Sequence, residues 1–112
     1  MSVESIEKKI LLGRDFTDFL IIVLDFDYSK RKKLQGFCLT QIFYFEEKSI
    51  EIIKYDTAHN ICHAHRYYRN KKDSKEILEN KEINQETLIE LKNDLINNWR
   101  KYKKLYLKKW LT

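Results

Sequence analysis

The hydrophobic period of this chain switches from two residues to nearly four. Phe16, Leu20, Ile22, Leu24, Phe26 and Tyr28 alternate with Thr17, Phe19, Ile21, Val23, Asp25 and Asp27, and the stretch is dense in β-branched and aromatic types. That is strand chemistry. Residues 35–46 repeat it, with Phe37, Leu39, Phe43 and Phe45 on one side and Cys38, Thr40, Ile42 and Tyr44 on the other. Farther on, Leu88, Leu91, Leu95, Trp99, Tyr102, Tyr106 and Trp110 recur at intervals of three and four. At 3.6 residues per turn this draws one apolar stripe down a helix of about six turns.

Turn chemistry sets the order of the elements. Ser29 to Lys33 reads as a polar hairpin loop and Glu46-Glu47-Lys48 as the next turn. Ser49 to Tyr55 then forms a third strand and His63 to Arg69 a fourth, in an antiparallel meander. Residues 70–82 are charged and read as a loop or strand end; Asn84 caps the helix that starts at Gln85. The expected architecture is α+β: a four- to five-stranded antiparallel meander sheet over residues 14–69, with the long C-terminal helix, residues 84–110, packed on one face. Residues 1–12 form a short N-terminal element, helix or strand, in which Val3, Ile6 and Ile10 are spaced for a short amphipathic helix. Neither face of the first two strands is wholly polar, so the sheet is expected to be covered on both sides or to pack on a second copy, as a homodimer.

The length of 112 residues and an apolar content of 43% suit one domain, residues 1–112. No proline, two glycines and no repeat mark an interdomain linker. The longest apolar run, Phe19 to Leu24, is far short of the roughly 20 residues that span a bilayer, so no membrane association is expected. Cys38 and Cys62 without a signal peptide read as free thiols of a cytoplasmic protein. The net charge of +5 is concentrated in patches: Lys30, Arg31, Lys32 and Lys33; Arg66 and Arg69 to Lys72; and Arg100, Lys101 and Lys104 within a basic helix end. Such patches favour RNA or another polyanion as partner, against the alternative of a merely solvated lysine surface.

All three histidines lie between positions 59 and 65, in the run Tyr55-Asp56-Thr57-Ala58-His59-Asn60-Ile61-Cys62-His63-Ala64-His65-Arg66-Tyr67. Strand alternation places His63, His65, Tyr67 and Arg69 on one face, and Cys62, Ala64, Arg66 and Tyr68 on the other. Three uses compete. In the first, His59, His63 and His65 exchange protons with RNA, Asp56 orients one imidazole, Arg66 or Arg69 neutralises the phosphorane and Tyr67 assists, with no cofactor. In the second, His59, His63, His65 and Asp56 bind a divalent metal, although their spacing is not diagnostic and the cysteines stand 24 positions apart rather than in a C-x-x-C pair. In the third, the histidines bond to backbone and stack on Tyr55, Tyr67 or Tyr68. The aromatic stripe Trp99, Tyr102, Tyr106 and Trp110 reads as core rather than as a base-stacking platform.

The segment Tyr55-Asp56-Thr57-Ala58-His59, followed by His63-Ala64-His65-Arg66 and a helix bearing Leu95, Asn98-Trp99 and Tyr102, resembles a family of small bacterial and archaeal proteins. Those proteins carry a Y-D-T-A-H-G-x-x-H-x-H-R segment and a late N-W-x-x-Y helix. The resemblance covers residues from about 16 to 106, and Asn60 stands where that family has glycine, a mild departure because Asn tolerates positive φ. More loosely, the histidine segment is similar to TumE-type toxins of toxin-antitoxin pairs. The resemblance implies an α+β domain with a functional histidine segment, a toxin acting on RNA as a ribonuclease and a cognate antitoxin as partner. The alternative is a non-catalytic nucleic-acid-binding or partner-binding protein.

Overall fold

A computed structural model describes residues 3–111; the side chain of Lys30, the first member of the basic hairpin, lies outside the described set. Six strands follow one another, β1 (Val3–Leu12), β2 (Asp18–Asp27), β3 (Lys33–Phe45), β4 (Lys48–Asp56), β5 (His63–Arg66) and β6 (Lys75–Ile77), before the helix α1 (Gln85–Trp110). They form one antiparallel sheet in the order β1-β2-β3-β4-β5-β6. The sheet thus has six strands, not four or five: the N-terminal element takes the strand alternative, and the charged stretch supplies one more. The 3,4 spacing of Val3, Ile6 and Ile10 does not make a helix: β2 offers a free edge, and pairing all ten residues from Val3↔Asp27 to Leu12↔Asp18 outweighs a short helix that would bury little. Within the charged stretch 70–82, Lys75–Ile77 adds β6 to the far edge. The strand expected over His63 to Arg69 stops at Arg66, where the chain turns.

α1 lies against β3 and β4, and its stripe meets one sheet face. Leu88, Leu91, Leu95 and Tyr102 are buried there with Leu20, Ile22, Phe37, Leu39, Phe43, Tyr55, Cys62 and Ala64, while Trp99 and Tyr106 pack against this core. A bulge opposite Gln41 and Ile42 lets Ile52 and Ile53 both enter it. Asn84 caps the helix as expected, its side chain accepting from the Thr87 N–H. On the opposite sheet face Phe19, Ile21, Val23, Cys38 and Tyr44 are half-buried and Thr40 and Ile42 are buried among their neighbours; no second layer covers that face among the described residues.

Polar contacts fix where the helix sits. Tyr55 Oη donates to Asp94 Oδ2 at 2.6 Å, Tyr102 Oη donates to the same carboxylate at 2.8 Å, and Asn98 donates to its other oxygen at 3.0 Å. Gln41, fully buried, donates to the Trp99 carbonyl at 2.8 Å, and Lys103 pairs with the buried Asp18 at 3.0 Å. Burial, and then the Asp94 carboxylate, push the Tyr55 and Tyr102 hydroxyls above the ordinary tyrosine range.

With so few glycines the turns use other residues. Glu46 and Glu47 both take positive φ, 49° and 66°, in the two-residue link between β3 and β4; Arg31 and Lys32 do the same before β3, and His59 and Asn60 before β5. Phe16, at φ 57°, is the outlier, because a bulky side chain in the left-handed region costs about 1–2 kcal/mol. Gly13, at φ 80°, is a position where glycine is required twice over: a Cβ there would stand 2.8 Å from the Trp99 ring.

Two stability experiments follow. Gly13→Ala should cost about 2 kcal/mol or more in urea denaturation, because it adds both strain and a clash with Trp99. The raised tyrosine hydroxyls contribute stability that is full below pH ~10 and is lost as pH rises above it. Tyr55→Phe should therefore lower stability at pH 8 by about 1–3 kcal/mol and flatten the alkaline decline; an unchanged decline would show that these hydroxyls do not govern it.

Candidate functional site

Sheet register, more than sequence proximity, assembles the site. Across the open face runs one row of cross-strand partners, Cys38↔Asp56↔His63, and beside it a second, Thr40↔Lys54↔His65. Asp56 closes β4 and His63 opens β5, so the turn between them brings the carboxylate beside both imidazoles. His65 Nε2 stands 3.1 Å from Asp56 Oδ2, in hydrogen-bonding geometry. His63 Nδ1 faces the other oxygen at 3.4 Å without hydrogen-bonding geometry. The ring centroids of the two histidines are 6.4 Å apart.

The preceding turn is held in place by Thr57, whose hydroxyl accepts from the Phe37 N–H at 3.0 Å. Gly36 leaves room for it, since a Cβ there would come within 2.8 Å of that oxygen. Tyr67 stacks on His65 with centroids 6.1 Å apart and planes 17° from parallel, although it lies just beyond the strand. Burial raises the Tyr67 hydroxyl, so it stays protonated near neutral pH and can donate.

The two imidazoles differ in access. The His63 side chain is 8% exposed and that of His65 24%. A carboxylate only accepts, so in the contact with Asp56 the His65 Nε2 is the donor, and Nδ1 is the ring nitrogen that this contact leaves unused. Lys54, the cross-strand partner of His65, supplies the nearby cation; it also pairs with Glu51 at 3.4 Å. Burial works against its charge, but Glu51, Tyr67 and Cys38 outweigh that and raise its pKa. Burial likewise pushes the Cys38 thiol up, beyond what its hydrogen bond to Thr40 and the Lys54 charge offset, which makes it a poor nucleophile at neutral pH.

The structure separates several residues that the sequence groups together. His59 is exposed on the 58–60 turn at φ 60°, and among the described residues no hydrogen bond, ion pair or ring contact links it to Asp56, His63 or His65. Arg66 lies on the helix-side face, donating to Glu76 at 3.0 Å and to the Tyr68 hydroxyl at 3.2 Å, with its guanidinium 5.7 Å from the Tyr55 ring centroid. Arg69 also reaches Glu76, at 3.3 Å. These two arginines are therefore occupied away from the histidines.

Arg31, Lys32 and Lys33 are exposed at the end of the sheet that carries the 58–60 turn; Lys33 and Asn60 line one cavity of about 230 Å³. Arg100, Lys101 and Lys104 are exposed on α1, across the sheet from the histidines, and Arg100 covers the Trp99 ring at 4.5 Å. Among the described residues no group of three or more His, Cys, Asp or Glu side chains is placed to hold a metal ion. Spacing alone does not link Lys54, Thr40 or Cys38 to the histidines, because only the β3-β4-β5 register brings them together.

Residues 24–111 match the family described as Domain of unknown function (DUF7718), and the chain belongs to that family. No curated protein and no solved structure matches it significantly.

The thiols offer a direct check on this geometry. Cys62, 1% exposed, should resist a thiol reagent in the native protein, and Cys38 should react more slowly than free cysteine at pH 8; both should react at once in denaturant. Rapid native labelling of Cys38 would mean that the face is more open than described.

Proposed function

We propose that the protein is an acid–base catalyst acting on RNA, a toxin-like ribonuclease whose centre is Asp56, His63 and His65. The observation that carries this reading is one carboxylate flanked by two imidazoles on the sheet face that the helix leaves uncovered. Cleavage of RNA by its own 2′-hydroxyl needs a base to take that proton, an acid to protonate the departing 5′-oxygen and a cation near the phosphorane. His65, more accessible and oriented by Asp56, serves as the base through Nδ1. His63 serves as the acid when protonated, and Lys54 replaces the arginines expected from sequence as the phosphate-neutralising group. Tyr67 positions the His65 ring by stacking. A toxin of this kind would be neutralised in its host by a cognate antitoxin.

A second reading rests on a separate observation. The exposed Arg100, Lys101 and Lys104 follow one another along a helix segment without an acidic residue, a surface suited to non-catalytic polyanion binding.

Induced expression of wild type, His65→Ala, His63→Ala and Lys101→Glu with Lys104→Glu, scored for growth and total RNA integrity, separates the two. The catalytic reading expects growth arrest and RNA loss from wild type. It also expects a cleavage rate about 10²- to 10⁴-fold lower for purified His65→Ala at an unchanged melting temperature. Lys54→Ala should retain the fold and lose about tenfold or more. Unaffected RNA with every chain, together with a salt-dependent affinity that only the lysine variant weakens, would replace the enzyme with the binding protein.

A further inference from the structure

A second cavity lies away from the histidines, at the end of the sheet where α1 terminates. It measures about 520 Å³, and Phe43, Phe45, Leu107, Trp110 and Leu111 form most of its wall, with Thr17 at the rim. Phe45 and Trp110 meet edge-to-face at 5.1 Å, and Phe43 and Trp110 at 6.1 Å, so the walls are braced against one another. Its one cation, Lys103, is held by Asp18, so the cavity offers no free charge to an ionic ligand. Phe45, Trp110 and Leu111 are 46%, 47% and 84% exposed. On the open sheet face, by contrast, Phe19, Ile21, Val23, Ile42 and Tyr44 are half-buried or buried and exposed apolar side chains are confined to β1, so the helix end is the larger exposed aromatic patch.

A second feature stands at the rim. Phe16, next in the chain to Thr17, is 74% exposed and held at φ 57°, a conformation that aromatic side chains rarely adopt. Here a strained backbone presents a large apolar side chain to solvent, which local packing does not explain. A knob and a hole of matching chemistry therefore sit side by side on one patch. That is what a two-fold interface requires, because each copy must offer both halves of the contact.

We infer that this protein forms a two-fold dimer in which Phe16 of each copy fills the partner's cavity between Phe45, Leu107 and Trp110. The charges around the patch suit a second copy as occupant. Glu46 and Glu47 are exposed at the β3-β4 link, Arg14 on the hairpin that carries Phe16, and Lys104 and Lys108 along the last turns of α1. Among the described residues none of these five forms an ion pair, so rotation about the axis can set acidic link against basic hairpin or helix end. The inference is independent of the catalytic reading, because the cavity and the histidine site share no residue.

Sedimentation velocity of wild type, Phe16→Gly and Phe45→Lys, over concentrations reaching hundreds of micromolar, tests it. Glycine suits the φ of position 16, so Phe16→Gly should fold at least as stably as wild type and still weaken the dimer about thirtyfold or more. Phe45→Lys should weaken it comparably. A monomeric wild type overturns the inference. So does a dimer that survives Phe16→Gly with circular dichroism unchanged, which would move the contact to the open sheet face or to the β1 edge. Should Phe45→Lys unfold, Phe16→Gly alone decides.

Discussion

The Asp94 carboxylate, gripped by Tyr55 from the sheet and by Tyr102 and Asn98 from its own helix, is the contact on which the arrangement turns. Apolar burial is non-directional and would tolerate α1 at several offsets along its stripe. Hydrogen bonds to a charged group contribute roughly 1.5–3 kcal/mol each and demand geometry. Together with Gln41 on the Trp99 carbonyl and Lys103 on Asp18, they select one offset. With that offset set, Trp99 lies over Gly13, and Tyr106 and Trp110 reach Phe43 at the far end of the sheet.

Helix placement also decides which residues face solvent. Tyr55 and Ala64 point to α1, so strand alternation sends their neighbours Asp56, His63 and His65 to the uncovered face. The structural role of Tyr55 and the proposed chemical role of Asp56 are thus consequences of one backbone direction. Arg66, one residue on, falls on the helix side and pairs with Glu76, which it holds below the usual carboxylate range through its hydrogen bond. The cationic partner of the histidines is then Lys54, contributed by the neighbouring strand.

The chain divides its surface by chemistry. The open sheet face holds the carboxylate and imidazoles, the outer face of α1 carries exposed lysines, and the helix end concentrates exposed aromatic and aliphatic side chains. The histidines and Lys101 stand on opposite sides of the sheet, so no one compact ligand touches both.

Much of the architecture was legible in the chain itself. Period-two alternation in β2 and β3, the stripe from Leu88 to Trp110 and the cap at Asn84 each depend on local geometry that a linear pattern records, as does the grouping of His63, His65 and Tyr67 on one side. The rest required tertiary structure. β1 carries a helical spacing and became a strand because β2 had an edge to fill, and β6 is three residues long with almost no pattern to read. The turns rest on Arg31, Lys32, Glu46 and Glu47 in left-handed conformations that no glycine announces. That His59 and Arg66 lie apart from Asp56, His63 and His65, while Lys54 lies beside His65, depends on cross-strand register and on the direction of one turn. Those are set by contacts between residues distant in sequence, and periodicity along a chain does not encode which strand lies beside which.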